Sequence, residues 1–283
     1  MALTSTAELA GRLADPKLRI LDARWYLDPN QKGLDAYNAG HIRGAFFADI
    51  ENDFAGPGGK RGGPLGRHPF PSPAQVQNVL RLFGITPGVR VVAYDDAAGS
   101  IAARVWFVLK ANGFDDCGVL DGGITKWIAE GREITSQPPS ISTMTDFMVA
   151  PRPELVVSKG ELVAQKEHSL VLDARIPERY RGDTEPIDPR AGHIPGARNA
   201  PYASNLTPGP NPVFKPAAEL RAHFRSVGVS EEKEPIVYCG SGINATHDLL
   251  ALEIAGFKGR LYAGSWSEWS SDPSLPAATG DQP

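Results

Sequence analysis

The sequence predicts an α/β protein of two similar domains in tandem, each with a mainly parallel sheet flanked by helices. The chain has 283 residues, of which 41% are hydrophobic, and this is enough to build two cores. One pattern of motifs occurs twice along the whole chain, in the same order. Each copy alternates short apolar strands with longer helical patterns, which is typical of a parallel sheet covered by helices.

The repeat is clearest in three pairs of segments. In the first pair, both members keep Asp-Ala-Arg after a strand and Gly-His-Ile-x-Gly-Ala before the next one: "LDARWYLDPNQKGLDAYNAGHIRGAFFADI" (residues 21–50) and "LDARIPERYRGDTEPIDPRAGHIPGARNAPY" (residues 172–202). The second pair is "FGITPGVRVVAYDD" (residues 83–96) and "VGVSEEKEPIVYCG" (residues 227–240). The third pair is "GFDDCGVLDGGITKW" (residues 113–127) and "GFKGRLYAGSWSEW" (residues 256–269). We therefore expect the two domains to share one strand order.

Helix signals recur at matching places in the two copies. Ser72-Pro73 opens the helical pattern "AQVQNVLRLFG", and Lys215-Pro216 opens "AAELRAHFRSVG". Residues 243–255 form a strongly apolar helical pattern that Gly256 ends. Between the copies, a stretch rich in Ser, Thr and Pro predicts an extended connector. The expected organisation is a first domain at residues 1–139, a connector at 140–151 and a second domain at 152–283.

Composition narrows the class of function. The formal net charge of −4 offers no basic surface for nucleic acid, so small-molecule partners are expected. No apolar stretch reaches the roughly 18 residues that a membrane-spanning helix needs, and the first residues lack a signal peptide's pattern. We therefore expect a cytoplasmic protein that does not associate with membranes. The two cysteines, Cys117 and Cys239, are too few for a disulfide framework or a cysteine-rich zinc site, and no metal is expected.

Cys239 occupies the most informative position in the chain. It ends the short apolar strand 236–238 and is followed by a Gly-Ser-Gly turn and then by the apolar helix. In α/β sheets, ligands bind beyond the carboxyl ends of the strands, where the loop meets the next helix. The backbone N–H groups of such a loop, together with the positive end of the helix, favour an anion and hence a thiolate. The matching position of the first copy is Asp95, so only the second copy carries a thiol.

Other interpretations of this loop are a structural cysteine, a phosphatase and a nucleotide-binding loop. A cysteine phosphatase needs an arginine after five intervening residues, and that position is Ala245. Residues 239–246 contain no arginine, and no lysine follows the glycines as it would in a nucleotide loop. A reactive thiol and a passive buried cysteine remain the two interpretations from the residues alone, whereas Cys117 is expected to be a small buried hydrophobe.

The chain resembles the tandem-domain rhodanese sulfurtransferases over nearly its full length. The resemblance rests on the paired "DAR…GHIPGA" segments, on the Cys239 loop with Asp95 at its counterpart, and on "GSWSEW" near the end. It implies two rhodanese-like domains, a catalytic second domain that carries sulfur as a cysteine persulfide, and a first domain without the thiol. It implies no cofactor. The implied acceptor is cyanide or a thiol such as thioredoxin.

The family resemblance also implies a donor. Loops that begin Cys-Arg-Lys-Gly suit thiosulfate, whereas Cys-Gly-Ser-Gly-Val-Thr-Ala marks the 3-mercaptopyruvate branch. This chain has Cys-Gly-Ser-Gly-Ile-Asn-Ala, so Ile243 and Asn244 depart from the second pattern while Gly240, Gly242 and Ala245 match it. We expect these loop residues to bind the donor 3-mercaptopyruvate. A thiosulfate sulfurtransferase is the alternative, and a noncatalytic sulfide-binding or regulatory module is a third hypothesis.

Further site residues follow from the same resemblance. Ser241, His68 and Glu51 correspond to a serine, histidine and acid that move a proton to the departing product, and Asp53 is the alternative acid. Histidine suits proton transfer near neutral pH.

Arginines in the stretch before "GHIPG" are expected to hold the carboxylate and carbonyl of the donor, because these groups call for planar, forked donors. Arg179 fits the family's first arginine well, and Arg190 is the best match for the second. Arg181 is the substitute for Arg190. The competing interpretation is that these arginines form surface ion pairs with Asp183, Glu185 and Asp188.

Several polar residues occur in both copies and are therefore expected to serve the fold. They are the Asp-Ala-Arg and Gly-His-Ile residues Asp22, Arg24, His41, Asp173, Arg175 and His193. His247, in the active helix, is expected to pack or to line the acceptor side.

Overall fold

The computed structural model describes residues 2–139, 145 and 147–283. The chain folds into two structural units. Unit 1 consists of Met1–Phe54, Pro71–Pro151 and Thr207–Phe214, and unit 2 consists of Ala55–Phe70, Arg152–Leu206 and Lys215–Pro283. The expected connector at 140–151 lies partly outside the described residues, and the chain passes from unit 1 to unit 2 at residues 151–152.

Unit 1 is a five-stranded parallel sheet with helices. The strands are β1 (Leu3–Thr4), β2 (Leu18–Asp22), β3 (Ala45–Phe47), β4 (Arg90–Tyr94) and β5 (Cys117–Leu120), in the order β1-β5-β4-β2-β3. The helices are α1 (Thr6–Gly11), α2 (Gly33–Ala39), α3 (Pro73–Leu82), α4 (Ala102–Ala111) and α5 (Gly123–Ala129).

Unit 2 repeats this topology element by element. Its strands are β6 (Val156–Val157), β7 (Leu170–Asp173), β8 (Ala197–Asn199), β9 (Pro235–Tyr238) and β10 (Arg260–Tyr262), in the order β6-β10-β9-β7-β8 and all parallel. Its helices are α6 (Lys159–Gln165), α7 (Pro177–Arg181), α8 (Ala217–Ser226), α9 (Asn244–Ile254) and α10 (Ser265–Trp269). The predicted fold class, two α/β domains with parallel sheets, is confirmed.

The residues that the sequence indicates as helix starts and ends lie at or next to those positions in the structure. The Ser72 side chain accepts a hydrogen bond from the Gln75 N–H, and Pro73 is the first residue of α3. Helix α9 begins at Asn244, one residue later than the sequence pattern indicates, and Gly256 follows its end with φ +79°.

Each unit has its own hydrophobic core beside its sheet. In unit 1 the core includes Leu9, Ile20, Val92, Leu120 and Trp127. In unit 2 the core includes Val171, Ile236, Tyr262, Trp266 and Trp269, and both tryptophans are fully buried. The tryptophans of "GSWSEW" therefore stabilise the domain through packing.

The repeated polar residues also hold the fold together. Arg24 bonds the buried Asp22 carboxylate and donates to Gly40 O, and Arg175 makes the same contacts with Asp173 and Gly192 O. The repeated histidines stack on tyrosine rings, with centroid distances of 3.9 Å for His41 on Tyr37 and 3.8 Å for His193 on Tyr180. Because both copies have these contacts, they belong to the fold and not to the thiol chemistry.

The units are not two consecutive halves of the chain. Segment Ala55–Phe70 of the first half belongs to unit 2, and segment Thr207–Phe214 of the second half belongs to unit 1. Because segment Ala55–Phe70 belongs to unit 2, Arg67 and His68 are part of the unit that contains Cys239. Within the described residues, the structure has no helix of the length and hydrophobicity needed to cross a membrane.

Candidate active site

Cys239 directly follows β9, the central strand of the unit 2 sheet, and precedes α9. Its backbone is fixed by the turn that opens α10: Cys239 N donates to Ser265 Oγ at 3.1 Å, and Trp266 N donates to Cys239 O at 2.9 Å. Ser265 has φ +54°, in the left-handed region that non-glycine residues rarely occupy. A strained turn thus holds the thiol-bearing residue at the carboxyl end of the sheet.

The sulfur of Cys239 lies inside its loop, and the residue is only 3% exposed. The Gly242 N–H points at Sγ, with an N to S distance of 3.1 Å. Gly242 has φ +80°, and a side chain there would overlap the carbonyl oxygen of Ala263. The glycine therefore lets the chain turn sharply enough for its N–H to reach the sulfur, where it stabilises negative charge.

The rest of the loop leads straight into α9. Ile243 and Ala245 are buried, whereas Asn244, the first residue of α9, is half-buried. The substitution of asparagine for the family's threonine thus falls on the one position of these three that retains contact with solvent. The start of α9 directs the positive end of an 11-residue helix toward the loop.

Asp95 shows what the same loop does in unit 1. Its fully buried carboxylate accepts four backbone hydrogen bonds, two on each oxygen, at distances of 2.7–2.9 Å. The donors are the N–H groups of Ala97, Gly99, Ile101 and Ala102. Burial raises the pKa of Asp95, and these four donors oppose that effect. The loop in the copy without a thiol is thus built as an anion receptor.

Two arginine side chains lie beside Gly240, the residue after the thiol. A methyl group in place of the Gly240 hydrogen would lie 2.7 Å from Arg67 Nη2 and 3.3 Å from Arg179 Nη1. The Asp188 carboxylate joins the two guanidinium groups: Oδ1 pairs with Arg67 Nη1, and Oδ2 lies 3.0 Å from Arg179 Nη2. Arg179, predicted from the sequence, and Arg67, which was not, are therefore neighbours in unit 2.

Buried carboxylates hold these arginines in place. Glu185 accepts from Arg179 Nη2 at 2.6 Å and from Arg175 Nη1 at 3.2 Å, and the side chains of Glu185 and Asp188 are only 4% and 0% exposed. These are not the surface pairs that the competing interpretation described. Ion pairs that are hydrogen-bonded and shielded from water fix geometry far better than exposed pairs do.

Arg190 has different partners. Its guanidinium donates to the backbone carbonyls of Trp269, Ser270, Asp272 and Leu275 at 2.8–2.9 Å, using all three nitrogens. The structure thus uses Arg190 to clamp the segment after α10, and it does not bring this side chain to Gly240 with Arg179. The substitute Arg181 pairs with the exposed carboxylate of Asp183.

The predicted proton-transfer residues are divided between the two units. Ser241 and His68 are both buried in unit 2. Glu51, in unit 1, is exposed and accepts a hydrogen bond from Trp25 Nε1 at 3.2 Å. Asp53, also in unit 1, accepts from Asp49 N at 2.9 Å, and burial raises the pKa of Asp53 to about 6. The pairing of an acid with His68 stays a prediction.

Three other residues belong to the packing of the molecule: Cys117, His247 and Asp248. Cys117 is buried, with Sγ 3.2 Å from Phe114 O. On α9, Asp248 accepts from Asn205 Nδ2 at 2.6 Å, and burial raises the pKa of Asp248 well above its usual value. His247 is fully buried and meets the Tyr202 ring edge-on. Among the residues that the structure describes, no cluster of three or more His, Cys, Asp or Glu side chains could hold a metal ion.

Comparison with known proteins gives independent evidence of the family to which the chain belongs. The family model of the rhodanese-like domain matches residues 5–130 and 158–272. The chain is 43% identical to a probable 3-mercaptopyruvate sulfurtransferase of Pseudomonas aeruginosa, covering 99% of this chain and 98% of the relative. It is 38% identical to the putative thiosulfate sulfurtransferase SseB of Mycobacterium tuberculosis, covering 98% and 97%. The crystal structure of SseA from Escherichia coli, a 3-mercaptopyruvate sulfotransferase, superimposes with a TM-score of 0.80 at 29% identity, covering 93% and 98%.

Proposed function

We propose that this chain, which belongs to the rhodanese family, transfers sulfur from 3-mercaptopyruvate to a thiol or to cyanide through a persulfide on Cys239. The observation that carries the proposal is the thiol of Cys239, which lies in a loop with a backbone N–H on its sulfur and with two guanidinium groups beside the next residue. A nucleophilic sulfur next to cationic donors suits a small anionic sulfur donor.

The proposed reaction has two steps. The Cys239 thiolate attacks the sulfur of 3-mercaptopyruvate, so that an S–S bond forms and the C–S bond of the donor breaks. The electron pair of the C–S bond passes to the methylene carbon as an enolate, which takes up a proton and leaves as pyruvate. In the second step, cyanide or a thiolate attacks the outer sulfur, which regenerates the Cys239 thiolate and yields thiocyanate or a new persulfide. The covalent intermediate divides one difficult transfer into two easier displacements.

The neighbouring residues have proposed roles in these steps. The Gly242 N–H and the start of α9 stabilise negative charge on sulfur. Arg179 binds the donor's carboxylate through Nη1, the atom beside Gly240. Ser241 and His68 supply the proton to the enolate, with Glu51 as the proposed acid partner of His68.

Thiosulfate is the second candidate donor. The Mycobacterium tuberculosis relative is named for thiosulfate, and guanidinium groups also attract its dianion. Against this, the loop carries Gly240 and Ser241 and no cationic side chain of its own. We therefore keep thiosulfate as the alternative and 3-mercaptopyruvate as the proposed donor.

Initial rates with the two donors, with cyanide as the common acceptor, test the proposal. We expect a higher kcat/KM for 3-mercaptopyruvate than for thiosulfate, and complete loss of both activities in Cys239→Ala. The matched control is Cys117→Ala, which removes the other, buried thiol and should remain active. An equal or higher kcat/KM with thiosulfate would contradict the assigned donor, and unchanged transfer by Cys239→Ala would favour a noncatalytic module. Thioredoxin as the thiol acceptor and a cytoplasmic location are further parts of the proposal.

A further inference from the structure

We infer that Arg67 is a second donor-binding residue, which acts with Arg179 on the carboxylate of the sulfur donor and is positioned by Asp188. The inference rests on the proposed function, because it assigns a specificity residue to the same site. Arg67 lies on Ala55–Phe70, the segment of the first half of the chain that belongs to unit 2.

The two arginines use different nitrogens for structure and for the site. Arg67 pairs with Asp188 through Nη1, and Arg179 binds Glu185 and Asp188 through Nε and Nη2. Arg67 Nη2 and Arg179 Nη1, the two atoms beside Gly240, make no hydrogen bond within the described part of the chain. Arg67 Nε is buried without a hydrogen-bond partner there, and leaving such a donor unpaired is costly. An anionic ligand at Gly240 would give the two nitrogens beside it a partner.

Asp188 determines how the two guanidinium groups are placed. Each of its oxygens holds one arginine, and its own N–H donates to Glu185 Oε1 at 3.0 Å. Two cations so close together would repel each other, and the buried carboxylate between them offsets that repulsion. Asp188 is thus a positioning residue that keeps both donor edges at Gly240.

The backbone of Arg67 is also fixed. Its N–H donates to Ser267 Oγ at 3.1 Å, on the helix that follows the Ser265 turn. At Gly66, a methyl group would lie 2.8 Å from Gly264 O, so the segment approaches this turn too closely for any side chain. The same turn accepts the backbone N–H of Cys239, which couples the position of Arg67 to that of the thiol.

A pair of guanidinium groups beside the thiol-bearing loop suits an α-keto carboxylate. Such a donor presents a planar carboxylate and an adjacent keto oxygen within a few bonds of its sulfur. Two forked donors are suited to that pair of groups, because each guanidinium offers N–H bonds in a fixed plane. Gly240 has no side chain, so the two guanidinium groups can lie directly against the backbone of the residue that follows the thiol.

The test compares Arg67→Met and Arg67→Lys with Arg61→Met. Arg61 lies on the same segment, is exposed and donates to the backbone carbonyl of Pro186, so its replacement controls for the loss of one cation. Arg67→Met should fold, because Asp188 keeps its pair with Arg179. We expect KM for 3-mercaptopyruvate and the inhibition constant of pyruvate to rise together about 10- to 100-fold, the range for losing a hydrogen bond between charged groups. Arg67→Lys should restore part of the loss, and Arg61→Met should resemble the unmodified protein.

A chemical probe separates this inference from the choice of donor. Iodoacetate carries a carboxylate and iodoacetamide does not, and both alkylate thiolates, so both are expected to modify Cys239. We expect Arg67→Met to slow alkylation by iodoacetate several-fold more than alkylation by iodoacetamide. If mercaptopyruvate turnover is absent but this selective effect remains, the carboxylate site stands and the proposed function fails. If Arg67→Met changes neither the pyruvate inhibition constant nor the ratio of the two alkylation rates, or matches Arg61→Met in both, the inference about Arg67 is wrong.

Discussion

Replacement of Asp95 by asparagine tests whether the loop of unit 1 is an anion receptor. The Asp95 carboxylate accepts four backbone N–H bonds, two on each oxygen. An asparagine amide has only one acceptor oxygen, so two buried N–H groups would face an NH₂ group. Each unsatisfied buried donor costs about 1–3 kcal/mol. Burial, which raises the pKa of Asp95, opposes this loss because the neutral amide is easier to bury. We therefore expect a loss near the lower end, about 2 kcal/mol.

Two measurements check this expectation. Urea unfolding of the full chain should show the lower stability, and amide hydrogen exchange of residues 97–102 should become about 30-fold faster, the factor that corresponds to about 2 kcal/mol. Asp96→Asn is the matched control, because Asp96 is exposed and its carboxylate accepts a hydrogen bond from the Tyr26 hydroxyl and not from the loop backbone. If Asp95→Asn lowers the stability and the exchange protection no more than Asp96→Asn does, the interpretation of this loop as an anion receptor is refuted.

Three further predictions concern single residues. Gly242→Ala should lower kcat/KM at least tenfold, because a side chain at φ +80° would overlap Ala263 O and move the Gly242 N–H away from the Cys239 sulfur. Donor kinetics measure the loss of activity, and a thermal melt measures whether the variant is folded. Arg190→Met should lower the free energy of unfolding by about 2–4 kcal/mol, because four backbone carbonyls lose a charged donor. Urea unfolding measures this, and a loss below about 0.5 kcal/mol would contradict the role of Arg190 in holding this segment. Asp53 has a pKa raised to about 6, so its native carboxyl holds a proton that the unfolded chain releases, and stability should fall as pH rises from about 4 to 7. In Asp53→Asn this decrease in stability with pH should be smaller. If urea unfolding of the variant gives the same dependence of the free energy of unfolding on pH, the prediction is wrong.

The sequence predicts the fold well because the evidence for it is local and repeated. Apolar runs, proline and serine at helix starts, and glycine at helix ends act over a few residues, and the second copy supports each assignment. Cys239 stands out for the same reason, since a strand end, a glycine turn and a helix start lie next to each other in sequence.

The arginine site illustrates what sequence reasoning misses. Arg67 comes close to Gly240 only because its segment belongs to unit 2, and contacts between residues so far apart in sequence leave no local pattern. Its position directly before His68 is the one available signal. The partners of Arg190 could not be predicted, because they are backbone carbonyls, which carry no mark in the sequence. Asp188 looks like a surface charge in a polar run, yet its side chain is fully buried between two arginines.

The mass of the intact protein after brief treatment with 3-mercaptopyruvate, without any acceptor, tests the central claim most directly. We predict that one sulfur atom is added, that peptide mapping places it on Cys239, and that cyanide removes it with release of thiocyanate. Cys239→Ala should show no added sulfur although it retains Cys117. A protein that releases pyruvate with no sulfur on Cys239, or that carries the sulfur on Cys117, would contradict the persulfide mechanism.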